Sequence, residues 1–573
     1  MRVKRSSTPL IGLPNFLLLC AFSLTNFAQL QAAELPDAGR LLREQPKTLP
    51  ALPSNPQLPI TPEIKEPETK NNSATVLVKS FRIDGAKLIP VSELQSQISF
   101  AVGKEFSLSQ LRSVAELLVV YYSRKGYLAQ ASLPPQEIDD GIVLIKITEG
   151  KRGSLMINNQ SKRVKSERVQ GFIDYRLAQG DAMSLDKLGE SVNLLNEQPG
   201  TMVKASLKSG AEVGDTDLLV TATDKPIATF NYGLSNKGSR GTGEAQAIAS
   251  VSLNNPLGLF DLANLLLVKS EGSTFGLGEY GLAVGNSGLR AGVNFSRLNY
   301  DVTQNSLRAL DAHGSATTFG LKAQYPLYRL SSFSLDLIGN LDTKHFRDDT
   351  IVGETSDRRV NTATLGIGGS RQDGFGGGGV TGFGLSWVHG HTNEDNQAAV
   401  AADKASRNAL GSYDKLVYNL DRQQRLSQDW ILTTKLSGQV AFDNIESSGR
   451  FFLGGADYLR AYPTGEAGAD EGWLLSLNLI HPFTSKLQGS VFIDTGTVRV
   501  NKDNRAGLNA GQDNRYKLTG AGVAIDWKIL ENLALNATLA APIGNNSGRD
   551  ANGNDSDGRN ESLRAWVSLV GQF

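Results

Sequence analysis

The sequence predicts a transmembrane β-barrel of about sixteen antiparallel strands, preceded by two small α+β units and a short N-terminal helix. Three observations carry this expectation. The chain ends on a strand in which Leu563, Ala565, Val567, Leu569, Gly571 and Phe573 alternate with Arg564, Trp566, Ser568, Val570 and Gln572. Such period-2 alternation gives one lipid-compatible face and one wetter face, and a closing aromatic such as Phe573 is the expected C-terminal assembly signal. From Ile227 onward the same alternation recurs, in Ala228, Phe230, Tyr232 and Leu234, in Ala245 through Leu253 on odd positions, and in Leu289, Ala291, Val293 and Phe295. With about 9–11 residues per crossing, residues 226–573 have room for sixteen strands. The connections alternate in length: those at 302–314, 346–357, 390–412, 443–471, 501–514 and 544–561 read as long and rich in Asn, Asp, Gly and Ser. Those at 286–288, 328–330, 425–428, 483–485 and 529–532 read as tight turns, and this asymmetry belongs to an outer-membrane barrel.

Composition agrees with that class. Lys plus Arg and Asp plus Glu are 58 each among 573 residues, which gives no pull toward nucleic acid. A 40% apolar content is low for a bundle of membrane helices, whereas in a barrel only alternate residues face lipid. Sixty glycines suit many strands and turns. Residues 1–33 read as a secretory signal: Arg2, Lys4 and Arg5, an apolar stretch from Phe16 to Leu24, then small residues at Ala32 and Ala33. The only cysteine, Cys20, lies in that stretch. The processed chain is therefore expected to have no disulfide and no thiol chemistry.

Residues 34–74 read as a helix and its tether. Within 34–47, Ala38, Leu41 and Leu42 share a side, and the run from Pro46 to Pro67 carries prolines at 50, 53, 56, 59 and 62. A Pro-rich run of this kind is a semi-rigid spacer. A helix on such a tether needs a docking place, and the barrel lumen is the expected one. Residues 75–225 hold a diverged tandem repeat, split as 75–151 and 152–225. Ser107-Leu108, Leu111, Leu117 and Leu118 match Ser184-Leu185, Leu188, Leu194 and Leu195. Strands are expected near 76–83, 127–133 and 142–149, then 153–158, 201–208 and 217–224, with helices near 91–101, 108–125, 165–178 and 184–197.

The sixth long connection, 443–471, is too apolar for an exposed loop, with Phe451, Phe452, Leu453, Tyr458, Leu459 and Tyr462. Folding back into the lumen would bury these side chains. Its central cation, Arg460, would then need an anionic partner. Asp494, in Phe492-Ile493-Asp494-Thr495-Gly496, points inward if Leu487, Gly489, Val491 and Ile493 face lipid. No Ser-His-Asp set or paired carboxylates suggest catalysis, so no enzymatic activity is expected. Gly374 to Gly379 satisfies G-x-G-x-x-G but lies between strands, with no helix to hold a phosphate. His389 and His391 share one side of a strand without an evident third ligand. No metal and no cofactor are expected. Trp387, Trp430, Trp473, Trp527 and Trp566 fall near strand ends and read as an interface girdle.

The stretch FLGGADYLRAYPTGEAGADEGW resembles the sixth-loop motif of the TpsB transporters of two-partner secretion, members of the superfamily that includes BamA. FIDTG resembles that family's F-x-D-x-G strand motif. The lumen-loop positions are Leu459, Arg460, Ala461 and Tyr462, and the wall positions are Phe492, Asp494 and Gly496. Leu459 and Ala461 depart from the Val and Gly of the usual V-R-G-Y/F. The resemblance implies a plug helix, two POTRA domains in the periplasm, an Arg460–Asp494 pair and a bacterial outer-membrane location. It implies ATP-independent export of a TpsA-type exoprotein, haemolysin- or adhesin-like, through POTRA recognition and passage through the barrel. Outer-membrane lipids, periplasmic chaperones and the barrel-assembly machinery are the other implied partners. A BamA-like insertase would normally carry more POTRA units. A diffusion porin would explain the barrel but neither the repeats nor the Arg460 loop.

Overall fold

The computed structural model describes residues 36–46, 75–138, 140–505 and 513–573. The expected signal segment 1–33 and the tether beyond Pro46 lie outside them.

Two α+β units come first. The first contains β1 (Thr75–Leu77), β2 (Ser80–Asp84), β3 (Glu105–Ser107), β4 (Ala129–Ser132) and β5 (Ile142–Glu149), with helices Val91–Gln97 and Leu108–Arg124. β5 lies between β2, to which it runs parallel, and β4, to which it runs antiparallel. The long helix starts where Ser107 and Gln110 cap one another reciprocally. It buries Leu111, Val114, Ala115, Leu118 and Tyr122, the spacing of a single helical face, against Val143, Ile145 and Ile147. The strand expected near 76–83 splits into β1 and β2, and the pairing of β1 with the short β3 was not expected. Three-residue strands are too short to show a period, and only pairing between residues thirty apart creates them. The expected helix over 91–101 also breaks, into an α-helix and a 3₁₀ turn at Ser99–Ala101.

The second unit repeats the scheme with β6 (Lys151–Asn159), helices Ser166–Arg176 and Leu185–Glu197, β7 (Thr201–Ser209) and β8 (Asp215–Asp224), in the order β6-β8-β7. Its core is completed from outside. Phe260, in the turn after the second barrel strand, is buried in it and meets Phe172 edge-on at 5.3 Å. Arg329 binds Glu197 at 2.8 Å and Asp336 at 2.5 Å, and Arg290 donates to the Gln198 side chain at 2.8 Å. The second unit is thereby fixed to the short-turn end of the barrel.

The barrel has sixteen antiparallel strands, β9 (Ala228–Ser235) to β24 (Arg564–Gln572), each paired with its chain neighbour and closed by β24 on β9. Among the described residues no helix is long and apolar enough to cross a membrane; crossing is by strands. Exposed Phe295, Phe319, Leu341, Leu365, Trp387, Val491 and Ile525 mark the lipid-facing parity.

Three expectations need correction. The segment 346–357 is not a long loop: β15 (Phe333–Thr350) and β16 (Gly353–Asp373) continue through it and turn at Ile351-Val352 alone. Its polar residues resemble a loop, but Asp348 and Arg358 are inward-facing strand residues with partners inside the barrel. The segment 390–412 likewise begins as strand, since β17 runs Gly379–Glu394, and it contains a helix at Gln397–Ala405. Trp566 is no girdle residue. It is 5% exposed and points into the lumen.

Candidate functional site

The lumen is occupied by two segments: the helix Ala38–Glu44 and the sixth external loop, residues 442–470. The loop folds inward because its apolar side chains find a surface there. Phe451, Leu453, Leu459, Ala461 and Tyr462 are buried with Leu474, Phe492, Val498, Leu518 and Ala540 of the wall. Tyr458 is the exception, 46% exposed.

Arg460 sits at the inner end of the loop. Its Nε donates to Asp494 Oδ2 at 2.8 Å and its Nη2 to Asp494 Oδ1 at 2.7 Å, a two-pronged contact. Nη2 also reaches Ser476 Oγ at 3.1 Å and Asn478 Oδ1 at 3.0 Å, and Ser476 donates to Asp494 at 2.7 Å. The guanidinium lies 3.3 Å above the Phe492 ring centroid, a cation–π stack. Asp494 is fully buried. A charge removed from water this completely is tolerated only because each of its acceptor positions meets a donor.

The other motif positions have steric tasks. A Cβ on Gly496 would meet the Leu453 side chain at 2.5 Å, so Gly496 seats that residue of the loop. The methyl of Ala461, which stands where the related motif has glycine, faces Gly520, where a Cβ would approach it to 2.3 Å. The wall thus gives back the space the loop residue takes.

Four anchors of the loop were missed by sequence reasoning. Asp470, fully buried, accepts from Arg407 Nη2 at 2.9 Å and from the amides of Ile445 and Lys502 at 3.2 and 2.9 Å. Arg450 lies 3.6 Å from it. Glu466 accepts from Asn546 at 2.8 Å and from the Ser556 amide at 2.6 Å. Burial pushes the Glu466 carboxyl above its ordinary pKa, a shift that Ser556 and Asn546 offset only in part. Trp566 Nε1 donates to the Arg460 carbonyl at 2.8 Å. On the other side of the closing seam, Asp457 binds Lys237 at 3.0 Å and Thr464 donates to the Lys237 carbonyl at 3.1 Å. The only hint in the sequence was that Glu466 and Asp470 follow closely on the apolar run of the loop.

Replacing Asp470 by Ala leaves Arg407 and Arg450 without their shared carboxylate. Limited proteolysis of the folded barrel is expected to cut the external loops at least about tenfold faster, because losing one member of a buried ionic cluster is strongly destabilising locally. Unchanged cleavage would remove Asp470 from the list of anchors.

The helix has its own polar seat. Asp37 caps it, accepting from the amides of Gly39 and Arg40 at 2.8 and 3.0 Å, and also from Ser447 Oγ at 2.7 Å and Arg358 Nη2 at 3.2 Å. Burial alone would raise the Asp37 pKa. Arg358, Ser447 and the Arg40 amide outweigh burial and hold it below the usual carboxylate value. The Ala38 amide and the Tyr300 hydroxyl both donate to Asp348, at 2.7 and 2.6 Å. Ala38 and Leu41 are buried among Leu298, Tyr300, Phe346 and Val360. A Cβ on Gly39 would meet Ser447 Oγ at 2.5 Å, so the helix presses on the root of the sixth loop. Beside the helix a cavity of 670 Å³ remains, lined among others by Arg43, Glu279, Arg290, Lys322, Asp342 and Lys344.

The glycine run 374–378 is a turn with positive φ at Gly376, Gly377 and Gly378. His389 and His391 face outward, and no cluster of three metal-ligating side chains occurs among the described residues. Phe573 stacks on Tyr232 of β9 at 5.7 Å between centroids.

Comparison with known proteins places these features. Residues 214–526 match the family described as haemolysin secretion/activation protein ShlB/FhaC/HecB, and residues 76–150 match the POTRA domain, ShlB-type. The heme/hemopexin transporter protein HuxB of Haemophilus influenzae is 28% identical over 498 residues, 85% of each chain. The outer membrane transporter CdiB of Dickeya dadantii is 21% identical over 387 residues, 63% of this chain and 65% of that one. The solved structure of CdiB from Escherichia coli superposes with a TM-score of 0.70 at 16% identity, covering 99% of this chain and all of that one.

Proposed function

The chain belongs to the ShlB/FhaC/HecB family of outer-membrane two-partner secretion transporters, and on that premise we propose how this molecule moves its cargo. The protein lies in the bacterial outer membrane with its POTRA region in the periplasm, and its partner is a secreted TpsA-type exoprotein. The cargo is a large haemolysin- or adhesin-like chain, held unfolded in the periplasm. The two α+β units, residues 75–151 and 152–225, bind its N-terminal region, an extended segment adding to one of their sheet edges, which are β2, β4, β6 and β7. The helix Ala38–Glu44 then leaves the lumen on its tether, and the cargo passes through the barrel. Folding outside makes the passage irreversible, so the transporter hydrolyses nothing. Outer-membrane lipids hold the barrel, and periplasmic chaperones and the assembly machinery deliver it.

The observation that carries this reading is the occupied lumen. A helix of seven residues, held by Asp37 with its ties to Arg358 and Ser447, by Asp348 and by a small apolar patch, fills space that a fixed channel would leave open. Binding by the periplasmic units is expected to be moderate, because an unfolded segment loses conformational entropy when it docks. Calorimetry of the full-length transporter against the cargo's N-terminal domain and against unrelated unfolded chains tests this step. Equal heats for both ligands would remove recognition from these units.

A further inference from the structure

The outward face of the barrel is not uniform above its apolar belt. On strands β13 (Arg290–Asp301), β14 (His313–Arg329), β15, β16 and β17 the belt ends at Phe295, Phe319, Leu341, Ala363 and Trp387. The next two outward positions on each strand contain Arg297, His345, Arg359, His389 and His391, and otherwise only Thr, Ser or Asn. No carboxylate occurs in these two tiers. The outward acids Asp301, Asp349 and Asp357 begin farther out. Elsewhere the belt meets acid at once: Asp414 follows Leu416 outward on β18 (Gly411–Arg425), and Glu471 follows Trp473 on β20 (Glu471–Pro482).

Pairing register draws the donors together. Arg297 faces Thr317, Thr317 faces His345, and His345 faces Arg359. Arg297 donates to Thr317 Oγ1 at 3.0 Å and to Asn299 at 3.2 Å, neither of them charged. His345 meets Asp357 at 2.5 Å, and His389 meets Asp414 at 3.0 Å. Both arginines are exposed. Because the periplasmic units adjoin the short-turn end, this face lies at the outer leaflet.

We infer that this face binds a phosphorylated glycolipid of the outer leaflet, with its phosphates on Arg297 and Arg359 and its acyl chains on the apolar belt below. Arginine suits the task, since its planar fork pairs with phosphate oxygens two at a time. The hydroxyl and amide side chains between the cations match sugar hydroxyls. The acid-free tiers matter as much as the cations, because a carboxylate at this depth would repel a phosphate.

The test uses full-length protein in phospholipid nanodiscs, titrated with fluorescent bis-phosphorylated lipid A. The inference rests on the outer-membrane location and is independent of the export reading, so secretion need not be measured. Arg297→Ala/Arg359→Ala is expected to weaken binding at least about tenfold, with Arg297→Lys/Arg359→Lys intermediate. Heat-modifiable migration controls for an intact barrel. A second arm uses dephosphorylated lipid A, which should bind the wild type as weakly as the double alanine variant binds the phosphorylated lipid. Equal binding of phosphorylated lipid A by wild type and double variant would overturn the inference. So would equal binding of the two lipids by the wild type.

Discussion

Arg460→Ala is expected to abolish or sharply reduce export while the barrel still assembles. The guanidinium is 13% exposed and Asp494 not at all, so removing either partner leaves the other charge buried and unpaired, at a cost of about 3–5 kcal/mol. That cost falls on the seating of the loop. Strand pairing, which closes the barrel, is untouched. Asp494→Ala should resemble it. Arg460→Lys should rescue poorly, because an ammonium can satisfy neither the two-pronged contact with Asp494 nor the flat stack on Phe492 at the same time. The measurement is exoprotein in the medium, with heat-modifiable migration as the folding control. Normal export by both alanine variants would sink the role of the pair.

The second large effect concerns the helix. Deleting residues 34–45 should raise single-channel conductance in planar bilayers while leaving insertion intact, since the lumen then loses the segment that fills it. Asp37→Ala should do the same in part. It removes the cap of the helix, its tie to Arg358 and its tie to Ser447 in one step, and a lost cap alone costs about 1 kcal/mol. The expected signature is a channel that flickers open more often, without a change in its fully open size. Conductance unchanged in the deletion would place the gate elsewhere.

The parts of this molecule that repeat were legible in the sequence. Period-2 alternation in the lipid-facing strands, the matched Leu positions of the two α+β units and the apolar sixth loop all follow from local pattern. Parity showed that Asp494 points inward, and its pairing with Arg460 was legible through the resemblance of the loop and strand motifs. Distance along the chain hid the rest: Asp470 lies 63 residues from Arg407, and Glu466 lies 80 from Asn546. Asp470 and Glu466 are held by groups from the fifth, seventh and eighth loops, where no period exists to be read. The strand extension through Asp348 and Arg358 was hidden for another reason: above the membrane a strand no longer needs an apolar face, so its sequence looks like a loop. The inward Lys344, Phe346 and Asp348 keep the alternation going, and that was the available signal. Trp566 misled because aromatic residues near strand ends usually face the lipid headgroups.

The contacts that flank the closing seam put events in order. β24 meets β9 over only five paired positions, Ser568 with Ser235 through Gln572 with Asn231, and the sixth loop is bonded to residues on either side of that join, Trp566 and Lys237. The loop emerges between the eleventh and twelfth strands, yet the indole that donates to its backbone arrives with the sixteenth. During biogenesis the loop therefore has nowhere to finish until the final strand has been placed. On this order, full seating of the loop follows closure of the whole wall. A chain ending at residue 563 should leave the loop open to protease even where the earlier strands have inserted, and a protected loop in that truncated chain would show that the order does not hold.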